Sequence, residues 1–169
     1  MSGRRNAPAV RLRCRSALLG AAVGGRASLS VAGPVLTRLL ASRSAAGIEP
    51  PSRVAVVTSA LALGGELIGD KLPLTAGRLA GPGLAVRVGA TFLGTLILAR
   101  RERTGIGTFA VVGALAAAGI SAALSAMAGV RWRAATADRG LGLPGAMAED
   151  AIDIGVAVAG SWPRRIRAE

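Results

Sequence analysis

A chain of 169 residues, half of them apolar and 18% charged, is one domain's worth of sequence and too oily for disorder. Its 21 basic residues, all arginine except Lys71, outnumber 9 acids for a net charge of +12, yet aromatics make up 2% and tyrosine is absent. The aromatic platforms on which single-stranded nucleic acid stacks are missing, so no nucleic-acid partner is expected. With no histidine and one cysteine, Cys14, the chain has no intrachain disulfide and lacks most metal sites and the usual triads. Neither a metal, a cofactor nor an enzymatic activity is expected.

Residues 1–15 carry Arg4, Arg5, Arg11, Arg13 and Arg15 and no acid, the first acid being Glu49. This is expected to be a basic flexible tail before a retained first helix. A secretory signal is the alternative, but its apolar core is short, interrupted by Arg26 and without a clear small-residue cleavage site. The first helix is expected over 16–40, kinked at Gly33-Pro34, because proline removes a donor and glycine loosens the turn.

Pro50-Pro51 then restarts the chain, and a second helix is expected over 52–72, from Ser52 to Pro73. Gly77, Gly81, Pro82 and Gly83 mark the next break. A third helix over 84–100 ends at Arg100-Arg101-Glu102-Arg103, and a fourth over 107–130 is almost wholly apolar. A polar stretch from Arg131 leads to a fifth helix over 145–161, closed by Trp162-Pro163 and a basic tail over 163–169.

Only the fourth helix approaches the ~20 apolar residues that cross a bilayer. Val-rich runs at 54–57 and 109–112 allow strands, but they are short and do not alternate. The expected fold is therefore all-α: one integral membrane bundle of four to five helices over 16–162.

The polar residues inside these helices are the candidate site. Glu66 and Asp70 lie four apart and share a helix face; Glu149 and Asp153 repeat the pattern, with Asp150 offset. A charge at a helix centre costs roughly 2.5–3.5 kcal/mol on insertion scales, so these acids need cations, water or the headgroup region. Arg26 is expected to pair with the Glu66/Asp70 face or with its counterpart, and Lys71 is adjacent. The expected polar centre is Arg26, Glu66, Asp70, Lys71, Glu149, Asp150 and Asp153. Hydrated helix ends are the plainer alternative for the same residues, and Arg87, beside a Gly/Pro break, is expected to be interfacial. Gly20-x-x-x-Gly24 and Gly65-x-x-x-Gly69 are small-residue packing motifs that allow a homo-oligomer.

One constant shift lays Ala17 on Ala110, Gly20 on Gly113, Ser28 on Ser121 and Arg38 on Arg131. A second, shorter shift lays Glu66 on Glu149 and Asp70 on Asp153. Repeats over 16–73 and 107–161, separated by one helix, would sit as inverted halves with the polar site near the bilayer midplane. Five crossings would divide the arginines almost evenly between the two sides. The basic N-terminus favours a cytoplasmic start in an inner membrane.

Gly25-Arg26, Glu66 through Asp70-Lys71-x-Pro73, and Pro144 before Glu149-Asp150 together resemble the small bacterial membrane proteins of the domain of unknown function 4126 family. The resemblance covers roughly 16–160, and Leu143 stands where such proteins often carry Asn. It implies an integral membrane protein and supplies no activity. The functional expectation is a non-enzymatic membrane protein, either a small transporter or channel for an ion or solute, or a structural or assembly partner in the lipid bilayer.

Overall fold

The computed structural model describes residues 3–44, 47–69, 83–102 and 106–163. They form six helices: α1 Gly3–Gly25, α2 Leu29–Ser44, α3 Arg53–Gly69, α4 Gly83–Arg101, α5 Thr108–Ala137 and α6 Gly142–Ser161. The all-α expectation holds, and no strand occurs among the described residues. The helix count does not, because the first expected helix is two. Its break falls at Arg26-Ala27-Ser28, not at Gly33-Pro34. The expected flexible tail is also helical from Gly3 onward.

The break is a chain reversal. An ideal Cβ built on Gly33 of α2 would lie 3.5 Å from Leu19 of α1, a contact impossible if the two helices continued in line. α2 therefore folds back beside α1. Pro34 sits inside α2, where it cannot donate to Ser30 O. That carbonyl faces Gly94 of α4, whose missing side chain lets the two backbones meet: an ideal Cβ there would lie 2.6 Å from Ser30 O.

α1 is the central helix, packed on α5 most extensively and also on α6, α4 and α2, while α3 packs chiefly on α2. Leu12, Leu19, Ala22 and Val23 of α1 join Leu29, Leu98, Ala114 and Ala157 in the apolar core. Small residues set the α1–α5 spacing. Ala110, Ala114, Ala118, Ala122 and Ala126 form the buried stripe of α5. A methyl on Gly20 or Gly24 would overlap the backbone of Ala118 or Ala122. The first of the two small-residue motifs is thus consumed within the chain, while an ideal Cβ on Gly65 would meet nothing within 4 Å among the described residues.

Arg13 lies on Gly113, Gly20 on Ala118 and Gly24 on Ala122, so α1 and α5 run in the same direction. The proposed repeat matched these two helices, and inverted halves would need them opposed. The flipped arrangement is therefore not the one adopted. α2, α4 and α6 run against α1, so successive helices alternate in direction.

Many large apolar side chains lie on the surface. Phe109 is 91% exposed, and Val54, Leu61, Ile68, Ile120, Leu124 and Ile152 are all more than half exposed. α4 and α5 are long and apolar enough to cross a membrane.

Candidate functional site

Breaking a helix between Gly25 and Leu29 strands backbone groups: the last carbonyls of α1 and the amides that lead into α2. Two side chains from other helices take them. Arg87 of α4, expected at the interface, is buried, and its Nη1 donates to Gly25 O at 2.7 Å, Gly24 O at 3.2 Å and Val23 O at 3.4 Å. A cation thereby sits at the negative end of α1. Glu66 of α3 accepts from Ala27 N at 2.9 Å, Ser28 N at 2.8 Å and Ser28 Oγ at 2.5 Å. An anion thereby sits at the positive start of α2. The two caps approach each other, with Arg87 Nη1 at 3.9 Å from Glu66 Oε1.

Arg26 occupies the turn itself and is completely buried. Its Nε donates to Asp150 Oδ1 at 3.1 Å, its Nη2 to the same oxygen, and its Nη1 to Glu66 O at 3.3 Å. Arg26 is paired with an acid, but the described partner is Asp150, which belongs to neither of the two carboxylate pairs expected to meet it. Glu66 supplies a backbone oxygen to Arg26 and keeps its carboxylate for the α2 amides.

Glu149, Asp150 and Asp153 of α6 are all buried. Glu149 Oε2 accepts from Arg133 Nε at 2.8 Å, which ties α6 to α5. The Asp153 carboxylate lies against Gly25, so closely that any side chain there would overlap it. One end of the bundle thus gathers Arg26, Arg87 and Arg133 with Glu66, Glu149, Asp150 and Asp153. Asp70 and Lys71 lie outside the described residues. No group of carboxylates or cysteine able to hold a metal occurs among the described residues.

No family model, curated protein or solved structure matches this chain. The site is read from its own geometry. The sequence singled out Arg26, Glu66, Glu149, Asp150 and Asp153, and α1, α3 and α6 bring them to one end. It missed Arg87 and Arg133 as members. The available signal for Arg87 was its place inside an apolar helix, where an unpaired cation is costly.

A second polar layer lies toward the other end. Arg15 Nη1 donates to Glu102 Oε1 at 2.8 Å and Arg15 Nε to Gly160 O at 2.9 Å. Arg101 Nη1 donates to Pro34 O at 3.0 Å, and Thr37 Oγ1 donates to Gly33 O at 2.7 Å. Along α4 the two layers, marked by Arg87 and Arg101, stand about 21 Å apart.

Proposed function

We propose that this chain is a multi-pass integral membrane protein, non-enzymatic, whose buried carboxylate–arginine centre exchanges a proton or a small cation. The bilayer assignment is supported by the many large apolar side chains exposed along the helices, beside charged side chains buried between them. The two tryptophans support it as well. Trp132 Nε1 donates to Gly145 O at 2.9 Å, and Trp162 stands at the opposite end of α6. At the helical rise, Gly145 to Trp162 spans about 26 Å, close to the thickness of a hydrocarbon core of about 30 Å. Both indoles are half-exposed, as interfacial anchors are. A bacterial inner membrane with the N-terminus on the cytoplasmic side fits the resemblance and the basic start of the chain.

The observation that carries the exchange is the gathering of Glu66 with three buried carboxylates of α6 at one end of the bundle, beside a broken helix. Among the described residues the carboxylates Glu66, Glu149, Asp150 and Asp153 lie with the guanidiniums Arg26, Arg87 and Arg133. A buried carboxylate is costly unless a proton or a cation joins it. The broken helix adds the local geometry of transporter sites, in which helix ends face charged groups.

Purified protein in proteoliposomes is expected to carry protons or a monovalent cation faster than protein-free vesicles. Glu149→Gln and Asp153→Asn should each lower that flux about tenfold, with helicity retained by circular dichroism. Flux equal to empty vesicles, or flux indifferent to both substitutions, overturns the exchange. A scaffold role is the second reading, favoured by the use of Glu66 and Arg87 as helix caps. Crosslinking in membranes that recovers a stable second copy through the Gly65 face of α3 would support it.

A further inference from the structure

The reversal after α1 decides which arginines share an end. The finish of α2, the start of α3 and the finish of α4 all gather beside the first half of α1. Glu49 and Glu102, the acids described at that end, are already held by Arg38 at 3.5 Å and Arg15 at 2.8 Å. Arg13, Arg43, Arg53 and Arg100 are exposed and Arg11 is half-buried. None of these five has a carboxylate partner among the described residues. From the level of Arg26 to the opposite end, the described arginines and carboxylates are equal in number, five of each. Among the described residues, arginine therefore exceeds carboxylate at the end where α1 starts and matches it at the other.

We infer that the basic end is a docking surface for the phosphate headgroups of anionic phospholipids. The inference rests on the membrane assignment above and adds the partner. Guanidinium presents a planar fork of donors that fits phosphate oxygens, and arginines within a Debye length of an anionic leaflet are drawn to it. The surrounding surface selects lipid over a soluble polyanion, because these arginines stand at the rim of an apolar belt and no aromatic platform accompanies them. Trp162 is anchored at the same rim, its carbonyl accepting from Arg15 Nη2 at 3.2 Å. Positive charge near membrane segments is retained on the cytoplasmic side, so this end and α1's start face the cytoplasm.

The two tryptophans make the inference testable, one at each end. Trp132→Phe leaves Trp162 as the reporter at the basic end, and Trp162→Phe leaves Trp132 at the other. Each variant is reconstituted into phosphatidylcholine vesicles containing phosphatidylglycerol, with bromine placed on one lipid class at a time. Trp162 is expected to be quenched at least twofold more by brominated phosphatidylglycerol than by brominated phosphatidylcholine at equal mole fraction. Trp132 is expected to show no preference. Replacing Arg43, Arg53 and Arg100 together by Gln should abolish the Trp162 preference while leaving Trp132 quenching and helicity unchanged.

Equal quenching of Trp162 by both lipids would overturn the inference with the membrane assignment intact. Failure of either lipid to quench either tryptophan would overturn the membrane assignment itself. Loss of the preference on adding inorganic phosphate or a short single-stranded RNA at constant ionic strength would also overturn it, in favour of a soluble phosphate ligand.

Discussion

Arg26 is the largest side chain that the bundle buries completely, and it does so at a break in the backbone. Three carbonyls of α1 and two amides before α2 need partners there. Each buried polar group left unmade costs about 1–3 kcal/mol, so five of them rival the whole stability margin of about 5–15 kcal/mol. Arg87 and Glu66 remove that cost, which explains why charges are tolerated among apolar helices. Gly25 is the residue on which the arrangement turns, because the Asp153 carboxylate occupies the space of its absent side chain. Gly25→Ala should destabilise the protein by about 2–3 kcal/mol through overpacking at a buried charge. Gly64→Ala, in open surroundings on α3, should be neutral or stabilise by up to about 1 kcal/mol. Denaturant unfolding in detergent micelles, followed by circular dichroism, checks both. Equal midpoints for the two variants would remove Gly25 from this role.

At the level of elements, the contact that sets the fold is α1 on α5, two parallel helices joined glycine to alanine. In the proposed bilayer setting, where there is no water to exclude, such contacts depend on close backbone approach and the dispersion it brings. Gly24→Leu should therefore separate the helices and cost at least about 3 kcal/mol, whereas Ile120→Leu, on the exposed side of α5, should change the midpoint by less than about 0.5 kcal/mol. Detergent unfolding midpoints again decide it.

These elements also show how far sequence carried. The apolar runs marked α3 to α6 within a few residues at most ends, and the carboxylates of the site stood out as costly exceptions. The reversal at Arg26 was hidden, since proline at 34 was the stronger local signal and tertiary contacts overrode it. α5 runs seven residues past its expected end, to Ala137, because Trp132, Arg133 and Thr136 find partners or space against α6. Pairings of that kind join distant segments, and no local pattern announces them. Direction was hidden for the same reason: whether two matched stretches run parallel depends on the reversals between them.

For the molecule as a whole, thickness is the quantity to test. Under the proposed bilayer assignment, the tryptophans mark a slab of about 26 Å along α6, and the apolar part of α5 from Thr108 to Val130 measures about 33 Å. A tilt of α5, or its reach toward Arg131 and Arg133, accommodates the difference. On that assignment the Arg26 centre lies on the Trp132 side of the midplane, since its partner Asp150 stands about 8 Å along α6 from Gly145, against about 13 Å for the midplane. Bilayers that match the tryptophan spacing should stabilise the fold most, because mismatch costs a fraction of a kcal/mol per Å. In phosphatidylcholine vesicles of graded chain length, the thermal unfolding temperature should peak where the hydrocarbon core is about 26–30 Å thick. Thinner bilayers should expose α5 and thicker ones should bury the Arg15–Glu102 and Arg101 layer, so the temperature should fall on both sides. A thermal stability that rises steadily with thickness, or that is the same in buffer without lipid, would contradict the slab drawn by Trp132 and Trp162.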